Sequence, residues 1–354
     1  MRDSITKLME EYAVVIVGAG PAGLKCAEIL AQNGKKVLVL EKNKILGDKV
    51  CAGGLTLKDL ELGIPDSIIQ RKFKRVFIHT PRQTAEIKLE KPFIATIDRK
   101  DLGKWMTDKA RRQGAEVRIN SKVTEIDGEA VTVNGKDKIL YKYLVGADGS
   151  NSSMRKYLNL KTDKFLETFQ YIIPKKCEHL EVFIDPEKFG PLYSWLFPHR
   201  NLSVIGGGSD FKRGLHKPTL NLKISDIRKN FEDQWSKKFD LNKSLFQAAM
   251  INYDYKGHDF KNKFLIGDAA GLASGLTGEG IYFAIKSGED VANKIVNSEY
   301  ECVNIKHILK VKSFEEKILG TLEISKSLTK IEVELVNWLF KSRWVDKLGL
   351  KIAD

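Results

Sequence analysis

The chain lacks the residues on which several common architectures rest. Its 354 residues include four cysteines, Cys26, Cys51, Cys177 and Cys302, with no C-x-x-C pair among them. That usage gives neither a disulfide framework nor a thiolate ligand set for zinc or an iron–sulfur cluster, and it fits a reducing compartment. The six histidines are scattered without metal-site spacing, so no metal is expected. No apolar run approaches the roughly 20 residues of a membrane-spanning helix, so any membrane contact is expected to be peripheral. The opening Met1–Glu11 lacks the apolar core of a secretory signal, and the final Lys351-Ile352-Ala353-Asp354 is no lipidation box. A cytoplasmic protein is the expectation. Repeats, low-complexity tracts and an obvious linker are missing too, which points to interleaved domains.

What is present is a large apolar fraction, 42%, beside 30% charged residues. Such a chain is too hydrophobic for general disorder and long enough for two or three domains. Lys and Arg number 59 against 46 Asp and Glu, a formal charge of +13. An anionic membrane surface, nucleic acid or a merely solvated face would each suit that excess. The densest cluster, Arg71-Lys72-Phe73-Lys74-Arg75, precedes a strand-like Val76-Phe77-Ile78. Charge alone does not choose among the three.

Tyr12-Ala-Val-Val-Ile-Val17 is a continuous β-branched run, the pattern of a strand buried on both faces of a parallel sheet. It ends in Gly18-Ala-Gly20-Pro-Ala-Gly23, and a helical stretch, Leu24–Gln32, stops at Asn33-Gly34. A second strand, Lys36–Leu40, closes on Glu41, twenty-three residues after Gly18. Gly18 serves the tight turn, Gly20 the approach of backbone to a pyrophosphate, and Gly23 the packing of helix on strand. The helix N-terminus offers N–H donors to phosphate, and Glu41 is placed for a ribose diol. Strand, glycines, helix, strand and acid together predict a dinucleotide site. FAD and NAD(P) share this half-site.

Two later segments each deliver an aspartate from a short hydrophobic strand to a Gly-flanked turn. These are Tyr143-Leu-Val-Gly-Ala-Asp148-Gly149 and Phe264-Leu-Ile-Gly267-Asp268, the latter followed by Thr277-Gly278-Glu-Gly280-Ile281. Asp268 would suit a ribityl hydroxyl. Gly278 and Gly280 let backbone approach a flat ring, and the helix starting near Ile281 would stabilise negative charge there. Another helix is expected from Arg99 to Gln113, with Leu102, Trp105, Met106 and Ala110 at helical spacing, before a strand Ala115–Ile119. Residues 165–210 are mostly period two, the mark of an antiparallel sheet. The last fifty-odd residues carry Ile331, Leu335, Trp338 and Leu339 at helical spacing.

In these motifs the chain resembles the group A flavoproteins of the p-hydroxybenzoate hydroxylase fold, over roughly residues 12 to 295. Asp48-Lys-Val-Cys51-Ala-Gly-Gly-Leu-Thr56 is similar to the CxGG loop of the geranylgeranyl reductase family, and Pro191-Leu-Tyr193-Ser-Trp195-Leu-Phe197-Pro198 to its PxxYxWxFP motif. The resemblance implies an α/β fold: an interrupted Rossmann-like FAD-binding domain (1–70, 99–160, 255–298), an antiparallel-sheet substrate domain (71–98, 161–254) and a C-terminal helical segment (299–354). It implies FAD held by Gly18, Gly20, Pro21, Ala22, Gly23, Glu41, Lys42, Cys51, Ala52, Gly53, Arg99, Val123, Asp148, Gly149, Gly267, Asp268, Gly278, Gly280 and Ile281. The activity implied is reduction of isolated C=C bonds in geranylgeranyl or polyprenyl chains linked to lipid or quinone. Electrons would come from NAD(P)H or ferredoxin, at an anionic membrane surface and without nucleic acid. Gly206-Gly-Gly208, read as ending a strand without opening a helix, provides no second dinucleotide fold.

Tyr193, Trp195 and Phe197 alternate along a strand and would form one aromatic wall for an isoprenoid, with Gly53, Gly54 and Pro198 beside it. An unactivated alkene accepts hydride only if a proton reaches its other carbon. Cys51, or a water it positions, is the candidate donor, with a loop-shaping role the alternative. The catalytic set expected is Cys51, Tyr193 and Trp195. Two departures from the family pattern stand out: Ser274-Gly275 replaces Asn-Pro before Leu-Thr-Gly-Glu-Gly and is expected to loosen that loop, and Leu102-Gly103 replaces Phe-Asp. A flavin monooxygenase and a flavin-holding electron carrier or lipid-binding protein are the rival readings.

Overall fold

The computed structural model describes residues 10–212, 222–322 and 326–341. Met1–Met9 and the Lys351–Asp354 terminus, on which parts of the targeting reading fall, lie outside the described residues. The β-branched run forms β1 (Glu10–Val17), with Val14, Val15 and Ile16 fully buried. It lies between β2 (Val37–Leu40) and the strand Asp137–Gly146, parallel to both, in an eight-stranded sheet. Strand Lys263–Leu265 extends the same parallel set beyond Asp137–Gly146. Between β1 and β2 runs α1 (Pro21–Gln32). The helix begins three residues before the apolar pattern suggests because proline, with φ preset and no N–H to satisfy, suits the first helical position.

Gly18 turns with φ +106°, and a Cβ there would stand 2.4 Å from the Ala147 carbonyl oxygen. A Cβ on Gly23 would stand 2.2 Å from the Gly18 oxygen. Arg99–Arg112 is helical as expected, while Ala115–Ile119 shortens to a strand Glu116–Arg118. A Cβ on Gly103 in that helix would stand 2.8 Å from the Gly47 Cα, so the departure from the family pattern lets loop and helix approach closely.

The period-two region forms a seven-stranded sheet from Lys164–Ile173, Leu180–Phe183, Ser194–Pro198, Ser203–Lys212, Leu245–Asn252, Arg75–His79 and Thr84–Lys88. Gly206-Gly-Gly208 lies inside its strand Ser203–Lys212 rather than at the end. A Cβ on Gly206 would meet the Trp195 ring at 2.4 Å, so this glycine lets the indole lie flat on the neighbouring strand. A three-stranded sheet of Gly54–Leu55, Ile69–Phe73 and Ile94–Ile97 joins the CxGG loop to the rest. The basic cluster therefore spans two sheets. Its Arg71 guanidinium donates to the Cys177 and Glu178 carbonyls, and Lys72 pairs with Asp66 at 2.6 Å.

Helix Ile281–Val296 crosses α1 so closely that a Cβ on Gly288 would stand 2.2 Å from the Ala22 oxygen. The next helix, Val303–Leu322, is fixed at its start by Asp290, which accepts from Tyr300, Asn304 and the Ile305 N–H. Lys312 of that helix is buried and donates to the Tyr253 and Ala273 carbonyls, and burial lowers its ammonium to about 8. It ties this helix to the turn that follows Asp268.

Gly288→Ala sets two effects against each other. Alanine favours a helix by about 1 kcal/mol, whereas forcing apart packed backbone costs about 1–3 kcal/mol. Because the contacted atom is a backbone oxygen, packing is expected to win, lowering the urea midpoint of the purified protein. A midpoint equal to or above the parent's would show that the two helices separate freely.

Candidate active site

The parallel strands end at one level: Val17 pairs with Leu40 and Gly146, and Gly146 with Leu265. The residues that follow surround a cleft of about 1150 Å³ lined by Gly18, Gly20, Pro21, Ala22, Glu41, Lys42, Arg99, Val123, Asp148, Gly149, Gly267 and Asp268. Gly23 stays behind it, packed on Ile16. No side chain caps the N-terminus of α1, which leaves its donors and positive end for an anion. The Glu41 carboxylate is held by the Ala19 and Asn43 N–H groups, each at 2.8 Å, and so is fixed at the cleft edge.

Asp148 has a different first task from the one its motif suggests. Its Oδ2 accepts from the Ser153 N–H and hydroxyl and from the Met154 N–H, and so caps helix Ser153–Tyr157. Its Oδ1 is buried with no partner among the described residues, as is Nε of Arg99. A phosphate-bearing, hydroxyl-rich cofactor in the cleft would satisfy such groups, and the residues present fit FAD.

Asp268 is buried, and its Oδ2 accepts from Lys49 Nζ at 2.7 Å and from the Ser150 hydroxyl at 3.1 Å. Burial raises its pKa, but the Lys49 and Arg99 charges and these two hydrogen bonds outweigh it and hold the carboxyl below the usual range. Beyond it, Gly278 turns with φ +70°, and Gly280 precedes helix Ile281–Val296, whose N-terminus no side chain caps. The preceding loop is tied, not loosened. Ser274 is buried, its hydroxyl accepts from the Leu276 and Thr277 N–H groups, and its own N–H donates to the Glu279 carbonyl at 2.8 Å. A serine hydroxyl replaces the proline constraint by closing a turn.

A second cavity of about 390 Å³ meets the first at Pro21, Lys49, Arg99, Thr168, Asp268 and Ala284. Its lining is mainly apolar, with Ile94, Leu166, Leu180, Val182, Leu192, Ile251 and Leu276, and it includes Cys51, Ala52, Gly54, Gly278, Gly280 and Ile281. Strand Ser194–Pro198 buries Ser194 and Leu196 on one side, while Tyr193, Trp195 and Phe197 line this cavity from the other. Tyr193 and Trp195 pack edge to face at 5.9 Å. The Tyr193 hydroxyl donates to the Thr277 carbonyl, joining the aromatic wall to the glycine turn, and burial drives this phenol up to about 12.

Two expected wall residues stand behind the wall instead. The Pro198 carbonyl accepts from Thr96 at 2.8 Å, and Gly53 turns with φ +76° at a point where a Cβ would meet the Ile97 oxygen at 2.2 Å. They shape the lining without forming it, because a strand's alternation sends Pro198 to the face opposite Phe197. Gly54 does form it: a Cβ there would meet the Phe197 ring at 2.6 Å. The Cys51 thiol is half-buried and accepts from the Gly53 N–H at 3.3 Å.

Sequence reasoning missed Asp59, and it quoted Lys49, Thr56 and Glu279 without giving them a task. Thr56-Leu-Lys-Asp59 carries the spacing of a capping box, and the structure contains one: the Thr56 N–H donates to Asp59 Oδ2 at 2.9 Å. Asp59 is 1% exposed, and burial raises its carboxyl to about 7. Glu279 is raised by burial as well.

Residues 11–180 match the family described as FAD binding domain. An uncharacterised protein of Methanosarcina barkeri is 32% identical over 310 residues, covering 82% of this chain and 76% of its own. The geranylgeranyl diphosphate reductase of Rhodobacter capsulatus is 26% identical over 303 residues, 80% of this chain and 74% of that one. The digeranylgeranylglycerophospholipid reductase of Methanosarcina acetivorans is 27% identical over 303 residues, 78% and 73%. Among solved structures, a geranylgeranyl bacteriochlorophyll reductase-like protein from Thermoplasma acidophilum superposes with TM-score 0.71 at 20% identity, covering 96% of this chain and 99% of its own. A probable FAD-dependent monooxygenase from Pseudomonas aeruginosa shares the fold at TM-score 0.67 and 15% identity, covering 92% and 99%. The fold alone therefore does not separate these chemistries. The similarity to the reductases runs along about four-fifths of the sequence, and the chain belongs to the geranylgeranyl reductase family of FAD-dependent oxidoreductases.

Proposed function

We propose that this enzyme hydrogenates isolated C=C bonds in geranylgeranyl or longer polyprenyl chains carried by a lipid or quinone. The observation that carries the reading is the second cavity, an apolar chamber with an aromatic wall that opens onto the Asp268–Arg99 end of the cofactor cleft. Bound and reduced, FAD supplies a hydride there. The chain's own residues do the rest. Tyr193, Trp195 and Phe197 exclude water and hold the branched chain by its faces. Gly278 and Gly280 admit the ring edge, and the uncapped helix at Ile281 stabilises negative charge on it. Arg99 and Lys49 balance charge at the junction. Cys51 borders the reacting carbons from the CxGG loop. Electrons arrive from transiently bound NAD(P)H or from ferredoxin.

A membrane surface as the place of work draws support from helix Lys326–Lys341. Its polar side faces inward: the Glu334 carboxylate accepts from Thr80 and from the Arg82 N–H, and Asn337 donates to Thr80. Its apolar residues Ile331, Leu335 and Trp338 face outward, each more than half exposed. A helix with its greasy side in water, on a chain of charge +13, suits insertion at an anionic bilayer surface.

Anaerobic incubation of the chemically reduced holoenzyme with geranylgeranyl lipids should add one molecule of hydrogen per reduced bond, read by mass spectrometry. A hydroxylated product in air would favour the monooxygenase reading, and unchanged mass across lipid, quinone and diphosphate substrates would favour a carrier. Trp195→Ala removes a large side chain worth about 1.5–3 kcal/mol of apolar contact, so kcat/KM for a long prenyl chain should fall roughly 10- to 100-fold. A small water-soluble alkene should lose much less; equal losses would place Trp195 outside the chain-binding wall. Replacing Ile331, Leu335 and Trp338 together by Ser should cut cosedimentation with phosphatidylglycerol vesicles about tenfold or more. Binding that survives the triple change would move the contact elsewhere.

A further inference from the structure

Alkene hydrogenation consumes a proton, and an apolar chamber holds few groups that can give one. Thr56, at the start of helix Leu57–Leu60, places its hydroxyl 3.1 Å from Asp59 Oδ2 and 3.1 Å from Glu279 Oε1. A hydroxyl has one proton and can donate to only one of them. The other contact is a hydrogen bond only if that carboxyl is itself protonated and donates to the threonine oxygen. Asp59 Oδ2 already accepts from the Thr56 N–H, whereas Asp59 Oδ1 is fully buried with no partner among the described residues. All three residues line the apolar cavity that Tyr193 and Trp195 also line.

We propose that Thr56, Asp59 and Glu279 form a proton-holding cluster that supplies the proton added to the alkene, with Cys51 positioning the chain beside it. The inference rests on the prenyl-reductase reading. In the step, the π bond is replaced by two C–H bonds. One is made with the hydride that reduced flavin provides as it is oxidised. The other is made with the proton whose O–H bond at the carboxylic acid breaks, leaving a carboxylate that solvent reprotonates. Two carboxyls sharing a hydroxyl in an apolar wall cannot both ionise without strong repulsion, so the pair keeps one proton near neutrality.

The surrounding charges agree. Asp59 faces the like charge of Glu279 and the opposite charge of Arg99, and burial is the larger influence, raising it to about 7. Glu279 is raised by burial against the Thr56 bond and Lys58. From helix Val303–Leu322, Glu315 is raised by burial too, and it faces Lys312 as well as Glu279. An acid must be protonated to donate, so the rate of alkene reduction by prereduced enzyme should be flat below about pH 7 and fall about tenfold per pH unit above it.

The test pairs infrared spectroscopy of the flavin-free protein with single-turnover kinetics of the holoenzyme. In the flavin-free protein, a protonated-carboxyl stretch present in weakly acidic buffer should be lost in alkaline buffer, with its midpoint near neutrality. It should vanish or shift in Asp59→Asn, which keeps an oxygen to accept from the Thr56 N–H, and in Glu279→Gln. Both variants should bind FAD and be reduced as the parent is, yet add hydrogen to the alkene roughly 100-fold more slowly, within the range for loss of a general acid. Cys51→Ser should keep the parent's pH midpoint. The proposal is overturned if no protonated carboxyl titrates, if either acid variant retains the parent's rate and pH profile, or if Cys51→Ser alone moves the midpoint. Were the parent to reduce no prenyl substrate at all, the functional reading would fall by that result, while the infrared band would still report separately on the acid cluster.

Discussion

The constraint on which the site depends is the register of the parallel sheet. Val17, Leu40, Gly146 and Leu265 stand abreast, so the next residues of four distant segments emerge along one edge. Parallel pairing requires both faces to be covered, which is why β1 ends in Val14-Val-Ile-Val17 and β2 reads Val37-Leu-Val-Leu40. It also sends polar backbone out at the carboxyl ends, where ligands of open α/β sheets bind. Gly18 then fits beneath the Ala147 oxygen, and α1 and helix Ile281–Val296 meet backbone to backbone at Ala22 and Gly288. A slip of one residue in any pair would turn each motif to the wrong face.

Two cavities of opposite character meet at that edge, and the ion pair between Lys49 and Asp268 stands at their junction. On one side, N–H groups, Arg99 and a helix terminus suit an anionic cofactor. On the other, aliphatic and aromatic side chains suit a hydrocarbon. Charges at such a boundary act through a lower effective dielectric than in water, which strengthens each of them. The same setting explains why Asp268, beside a lysine, stays ionised while Asp59, in the apolar wall, resists ionisation. Two aspartates of one site are thereby shifted in opposite directions by their surroundings.

Much of this was legible in the sequence where the signal is local. The run Tyr12–Val17 with its glycines, the Arg99 helix and the alternation of Tyr193, Trp195 and Phe197 each declare themselves within a dozen residues, because strand and helix periods are local properties. What was not legible depends on partners far apart in the chain. Thr56 and Glu279 are separated by 223 residues, Lys49 and Asp268 by 219, and no spacing rule links them. The tight Ser274 turn was misread because the effect of proline was judged without the hydroxyl that takes its place. Ile331, Leu335 and Trp338 showed their helical spacing plainly. Their outward direction follows only from Glu334 and Asn337 finding partners near Thr80.

The shared fold of reductases, monooxygenases and a flavin-dependent brominase sharpens what must differ among them. The cofactor cleft is set by sheet register and cannot vary much without losing the flavin. The chamber beyond it is built from the antiparallel sheet and the CxGG loop, where side chains change without disturbing that register. Here the chamber combines an aromatic wall, whose indole lies over Gly206, with one buried and one half-buried carboxyl bridged by a hydroxyl. An aqueous site would leave those acids ionised and useless as donors at neutral pH, whereas a dry one raises them toward the protonated form. In the proposed reading, the same dryness that would suit a prenyl chain raises carboxyls in its wall toward the form that can donate a proton, so that substrate choice and proton supply would become one property of the lining.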